Sequence, residues 1–255
     1  MTVAGSDSGA GAGIQADLLA FAANGVYGCT AIAALTAQNP DGVSAISAPD
    51  ASMLLAQMLA VQSFYKPSAA KTGMLFNVEI VECAAEFFKS RPEIALVADP
   101  VMISTSGARL LNDDAVFALS KKLLPAATLI TPNLDEAAVL LGEDKISNLE
   151  CAAKRLRDKF ATSVLLKGGH IDGDELSDCL ALADGGFDTM KSRRINGVDT
   201  HGSGCTLSAA IAANLAKGYD LKSACIMARD YLIAGMRKPI SVGSRKFINH
   251  FPESE

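Results

Sequence analysis

The run Asp199-Thr200-His201-Gly202-Ser203-Gly204-Cys205-Thr206 leads into an Ala-rich stretch of helical composition. Two glycines flank Ser203 where that helix begins, and the first amides of a helix have no partner one turn back. Gly202, Ser203 and Gly204 therefore offer donors to an anion, and the aligned peptide dipoles add positive potential that suits phosphate. Cys205 falls in the first turn, where the same field is expected to lower a thiol pKa and make a thiolate available. Such a sulfur could take a proton from a substrate hydroxyl. A small residue packing a helix terminus is the other reading.

Charged and amide residues end several apolar runs in the same way. Asp99 precedes Pro100, and a carboxylate closing a buried strand is costly unless paired or used. Lys167 precedes Gly168-Gly169 and suits phosphate, although a solvated lysine fits nearly as well. Asn133-Leu134-Asp135-Glu136 follows Thr131-Pro132, which sets Asn133 at a helix start and Glu136 in its first turn. Glu136 could bind metal-held water near phosphates, or only favour the helix dipole. Gln38 and Asn39 follow a long apolar run and can read the hydrogen-bonding edge of a ring. Asp17 lies within the helix that follows Gly13.

The glycine-rich segment from Gly5 to Gly13 fails three familiar tests. Ile14 stands where GxGxxG needs its third glycine, no GxxxxGK[ST] loop occurs, and Asp7 occupies the centre of a would-be GxSxG elbow. A flexible loop opening a helix remains, with amides able to meet a ligand.

These residues need a frame to bring them together. Candidate strands are Met1–Ala4, Val26–Leu35, Ala69–Thr72, Ile94–Ala98, Thr128–Thr131 and Ser163–Lys167, mostly continuous apolar runs of the kind covered on both faces. Helical patterns occupy Ile14–Ala23, Ser52–Phe64, Val78–Lys89, Thr206–Lys217 and Leu221–Met236, the last with a possible Asp220 cap. Ser147-Asn148-Leu149-Glu150 reads as a capping box opening a helix through Phe160. Asp184-Gly185-Gly186 between two short runs in Cys179–Ile195 predicts an edge hairpin. The alternation implies an α/β protein with a mostly parallel sheet. Ligands bind beyond the carboxyl ends of such strands, where the polar residues above gather.

Composition narrows the choices. Hydrophobic residues are 49% and charged residues 20%, which excludes a disordered polyelectrolyte. Roughly 70% of the surface of a chain this long is buried on folding, and no linker divides it, so one domain over 1–255 is expected. Lys+Arg at 23 against Asp+Glu at 28 leaves a net charge of -5, with no basic excess for nucleic acid. No apolar window reaches the length of a membrane span, and no basic segment precedes Gly5 as in an export signal. Six cysteines stand singly without a CxxC pair, as reduced thiols in the cytoplasm would. Three histidines lack HxxxH spacing.

The motifs AGSDSGAGAGIQADL (4–18), GVYGCTAIAALTAQN (25–39), KTGML (71–75), DPVM (99–102), TPNLDEA (131–137), KGGH (167–170) and DTHGSGCTLSAAIAANLAKG (199–218) run in order along almost the whole chain. The set resembles the ribokinase-like superfamily and, within it, the hydroxymethylpyrimidine/phosphomethylpyrimidine kinases of thiamine biosynthesis. The resemblance implies a three-layer α/β/α fold, a homodimer with sites near the interface, and MgATP-dependent phosphorylation of 4-amino-5-hydroxymethyl-2-methylpyrimidine. Addition of a second phosphoryl group to the monophosphate is the expected following step. It assigns the pyrimidine to Gly5, Asp17, Gln38 and Met74, and makes Cys205 the base beside an anion hole at Gly202, Ser203 and Gly204. It sets Asp99 and Glu136 toward Mg²⁺, and Asn133, Thr200 and Lys167 toward the nucleotide phosphates; a monovalent cation is an option. Relatives carry more residues before AGSD, so a short first strand or a trimmed start is expected, and isoleucine is common where Thr72 stands. A related branch phosphorylates pyridoxal or pyridoxine with the same loop and cysteine. A non-catalytic pyrimidine sensor and a nicotinamide oxidoreductase are the rival classes, the latter already without its fingerprint.

Overall fold

The computed structural model describes residues 1–102, 111–169 and 175–252. Among the described residues nine strands pair into one sheet: β1 (Thr2–Asp7), β2 (Thr30–Asn39), β3 (Gly42–Ser47), β4 (Ala69–Thr72), β5 (Ala95–Ala98), β6 (Leu129–Ile130), β7 (Ser163–Leu166), β8 (Glu175–Ala181) and β9 (Phe187–Arg193). Their order is β3-β2-β1-β4-β5-β6-β7-β8-β9. The run from β2 to β7 is parallel, while β3, β8 and β9 join antiparallel at the two edges. A separate small hairpin pairs β10 (Ile240–Val242) with β11 (Arg245–Phe247).

The helices are α1 (Gly13–Ala23), α2 (Ala51–Tyr65), α3 (Val78–Lys89), α4 (Asp113–Ala118), α5 (Leu134–Leu141), α6 (Leu149–Phe160), α7 (Ser203–Ala216) and α8 (Leu221–Arg237). Successive side chains of a strand point to opposite faces, and the core divides accordingly. Leu96 and Ala98 of β5 pack with α2 to α6, whereas Val97 packs with α1, α7 and α8. Val164 and Leu166 of β7 part from Leu165 in the same way. The result is a three-layer α/β/α arrangement with a mostly parallel sheet.

Helix starts follow local chemistry. Asp50, Asn77 and Asp220 each accept a hydrogen bond from the amide three residues on. Asn148 alone caps α6 by accepting from the Cys151 amide, so the expected box led by Ser147 is absent. The reciprocal box lies at α5, where Asn133 and Glu136 satisfy each other's amides.

Three strand boundaries depart from expectation. β1 runs on to Asp7 through the AGSD motif because β2 pairs with it that far, so the first strand is not short. β2 begins at Thr30, not Val26, and continues through Gln38 and Asn39. Its polar end is held by β3, an unexpected strand that returns after Pro40-Asp41 and pairs Gln38 with Val43. The expected edge hairpin forms as β8–β9, with Asp184 accepting from the Gly186 amide at its turn. No helix among the described residues is long and apolar enough to cross a membrane.

His250 packs beneath α8, where the Tyr231 hydroxyl lies 3.0 Å from its Nδ1 and 3.2 Å from its carbonyl oxygen. Burial pushes its imidazole down to about 4. The folded pKa is below the unfolded value, so this contribution to stability is complete above pH 6.5 and is lost as pH falls toward 4. A loss of roughly 3 kcal/mol across that window is expected from this group. His250→Asn should flatten the corresponding part of a melting-temperature profile; an unchanged acid slope would assign the loss to carboxylates alone.

Candidate active site

The carboxyl ends of the parallel strands open on a cavity of about 370 Å³. Gly5, Gln38, Met74, Asp99, Asn133, Glu136, Lys167, Thr200, Gly202, Ser203, Gly204 and Cys205 all line it. Asp17 does not. It is fully buried behind the wall, accepting from the Thr2 hydroxyl at 2.6 Å and from Lys71 Nζ at 2.9 and 3.0 Å. The expectation that Asp17 holds the pyrimidine finds no support in this geometry: α1 turns its carboxylate toward Lys71 of β4, not toward the cavity. His170, which closes the KGGH motif, lies outside the described residues.

One end of the cavity is built by loop closure. The Asp7 carboxylate accepts from the Gly9 and Ala12 amides at 2.8 and 2.9 Å, folding the glycine segment into a turn. Burial opposes its charge, but the His201 ring and those amides outweigh it and hold the carboxyl below its ordinary value. His201 Nε2 lies 3.1 Å from Asp7 Oδ2 and 3.2 Å from Gln38 Nε2, so it ties the first loop and β2 to the segment before α7. The contact is tight: a Cβ on Gly11 would fall 2.7 Å from the His201 ring, and one on Gly202 only 1.8 Å from the Gly11 carbonyl oxygen. Gly202, at φ +77°, is the N-cap of α7. Ser203 donates its amide to the Thr200 carbonyl at 3.0 Å, so one of the three expected anion donors is turned inward.

Cys205 sits half-buried in the first turn of α7. Burial pushes its thiol up, against the expectation that the helix field would lower it. Lys71 opposes that rise, as does the Gly13 amide directed at the sulfur. Desolvation disfavours the charged form more than the helix terminus favours it here.

Lys167, Asp99 and Glu136 form a charged cluster on the same lining. Lys167 Nζ lies 3.1 Å from Asp99 Oδ1, and Thr131 and Ser208 hydroxyls donate to the same carboxylate at 3.2 and 3.3 Å. Burial disfavours the Lys167 charge, but Asp99 and Glu136 more than compensate and raise its pKa. Burial pushes the Glu136 carboxyl up to about 7, with Lys167 opposing and Asp99 adding. A Cβ on Gly204 would meet Lys167 Nζ at 3.2 Å, so the α7 terminus and this cluster share a wall. Among the described residues no group of three or more His, Cys, Asp or Glu could hold a metal alone. Two carboxylates beside a lysine suit Mg²⁺, which keeps waters and takes phosphate oxygens instead of a protein cage.

Lys71, His201, Asp7 and Ser208 went unrecognised in the sequence as site residues. Lys71 carried a usable signal, because a lysine within a run expected to be covered on both faces must have a buried partner.

The profile of the Phosphomethylpyrimidine kinase family matches residues 7–250. The chain belongs to that family. It is 47% identical over 249 residues to the hydroxymethylpyrimidine/phosphomethylpyrimidine kinase of Haemophilus influenzae, covering 95% of this chain and 92% of that protein. A crystal structure of an ADP complex of Bacillus subtilis pyridoxal kinase superposes with a TM-score of 0.89 at 35% identity, covering 98% of this chain and 96% of that one. The phosphomethylpyrimidine kinase of Clostridium difficile gives a TM-score of 0.81 at 40% identity, over 91% and 96% of the two chains. The fold is thus that of the pyridoxal and phosphomethylpyrimidine kinases, and the chain is a kinase.

Proposed function

We propose that this kinase transfers the γ-phosphoryl group of ATP to the hydroxymethyl group of 4-amino-5-hydroxymethyl-2-methylpyrimidine, and then a second one to the resulting monophosphate. The observation that carries the reading is that Cys205, the α7 terminus and the Lys167–Asp99 cluster line one cavity together with Gln38 and Met74. The Gln38 amide has one acceptor position taken by the Thr36 hydroxyl and its nitrogen close to His201. A primary amide retains a further donor and acceptor, which matches the amino-pyrimidine edge. Gly5 leaves room for the Met74 side chain, since a Cβ there would fall 2.9 Å from Met74 Cε, and in this reading that methionine covers the ring.

In the transfer, the substrate O–H proton passes to the Cys205 sulfur as the oxygen forms its bond to the γ-phosphorus. The bond to the ADP oxygen breaks in line with it. The amides of the first α7 turn receive the migrating group, Ser203 exchanging the Thr200 carbonyl for a phosphoryl oxygen. Lys167 offsets charge on the phosphates. Asp99 and Glu136 would hold Mg²⁺ through its waters, and bound there it supplies charge neutralisation. Asn133 and Thr200 stand at the same rim for the nucleotide. Positioning supplies most of the rate, because phosphoryl transfer asks little covalent chemistry of the protein. Single, unpaired cysteines suit a cytoplasmic enzyme, and the exposed apolar side chains Tyr27, Leu35, Phe64 and Tyr65 suit a homodimer.

Likeness to a pyridoxal kinase in fold makes pyridoxal phosphorylation the second reading. Steady-state release of ADP should be compared for the hydroxymethylpyrimidine, its monophosphate and pyridoxal. Both pyrimidines should turn over, with kcat/KM for pyridoxal lower by at least about tenfold. Preference for pyridoxal would move the assignment to vitamin B6, and pyrimidine binding without ADP release would make the protein a sensor.

A further inference from the structure

Lys71 and Asp17 form an ion pair between β4 and α1 in which both side chains are 0% exposed. Burying two charges costs several kcal/mol per ion before their attraction is counted, and apolar side chains of similar size commonly serve a core as well. The surrounding backbone is nevertheless shaped to hold the pair. A Cβ on Gly73 would lie 2.8 Å from Lys71 Nζ, and the Thr2 hydroxyl is committed to Asp17 at 2.6 Å. Lys71 alone of the two lines the cavity, as Cys205 does, and β4 packs against α7. An ammonium has three donors, and the two Asp17 oxygens at 2.9 and 3.0 Å fix its direction.

We propose that the Asp17–Lys71 pair sets the charge on Cys205, Lys71 supplying the cation that stabilises the thiolate and Asp17 aiming and moderating that cation. The inference rests on the reading of Cys205 as the proton acceptor and names the positioning residues behind it. The groups bearing on the sulfur are Lys71 from β4, Asp17 from α1, Asp99 after β5, Lys167 after β7 and the Gly13 amide at the start of α1. Three of these disfavour or only weakly favour a thiolate: two are carboxylates, and Lys167 is paired with one of them. Lys71 is the largest influence working against the burial of the thiol. Its side chain neither needs to touch substrate nor to transfer a proton for this role.

The two halves of the pair have opposite expected effects, which a purely structural ion pair would not produce. In the intact enzyme, the rate of iodoacetamide alkylation of Cys205 is followed against pH by peptide mass spectrometry, beside the pH profile of kcat/KM. Lys71→Met should move the alkylation midpoint up by about 1–3 pH units, and Asp17→Asn should move it down. The rising limb of kcat/KM should follow in each case. Should Lys71→Met fail to fold, Asp17→Asn, which keeps the side-chain shape, decides by the sign of its shift, and Lys71→Gln gives the other half. Midpoints that stay put, or move the same way in both variants, overturn the proposal. Midpoints that part as stated while the kcat/KM limb stays fixed uphold control of the sulfur and remove Cys205 from the base's role.

Discussion

Cys205→Ala is expected to lower turnover by about 10²–10⁴-fold, the range for losing a general base, with pyrimidine affinity little changed. The split follows from position. Cys205 lies in the first turn of α7, against the Gly13 amide and near Lys71, whereas Gln38, Met74 and Gly5, to which the proposed reading gives the ring, line the cavity from other segments. Losing a group used only as the proton leaves lowers kcat and leaves ground-state binding intact. Cys205→Ser should be nearly as slow, since a hydroxyl ionises far less readily than a thiol and Lys71 cannot make up that gap. Pre-steady-state ADP formation would confirm that chemistry, not product release, has slowed. Wild-type turnover in the alanine variant would reduce Cys205 to a packing residue.

Gly202→Ala is the second large effect, and it should damage both activity and stability. Gly202 holds φ +77° as the N-cap of α7, a backbone region that costs a non-glycine residue about 1–3 kcal/mol. The new Cβ would also stand 1.8 Å from the Gly11 carbonyl oxygen, so the two glycine loops must separate. Separation pulls on the His201–Asp7 contact and displaces the amides proposed to receive the phosphoryl group. Loss of one such donor costs about 10²–10³-fold in kcat, so a decrease of at least that size is expected, together with a lower melting temperature. A variant with normal kcat would show that the α7 terminus does not hold the migrating group.

Much of the arrangement could be read locally. Val78–Lys89 is bounded in the structure as its apolar stripe predicts, and Asp220 caps α8 as its residue type predicts. Strand ends were harder because pairing extends a strand past its apolar run. β2 reaches Asn39 only because β1 on one side and β3 on the other supply backbone partners for polar residues. The Ser147 box is absent for a local reason: Asn148, an equally good cap, stands one residue closer to the helix.

The order of alternating elements, the glycine-bounded loop before α7 and the candidacy of Asp99, Glu136, Lys167 and Cys205 were legible in the chain alone, because steric preference, capping and periodicity act over a few residues. Tertiary structure decided which charges face which. It turned Asp17 away from the cavity onto Lys71, 54 residues distant, and joined His201 to Asp7 across 194. It also reversed the expected shift of the Cys205 thiol, since burial outweighs a helix terminus. A charge's environment depends on what the completed sheet removes from water, and that exists only once remote segments have packed.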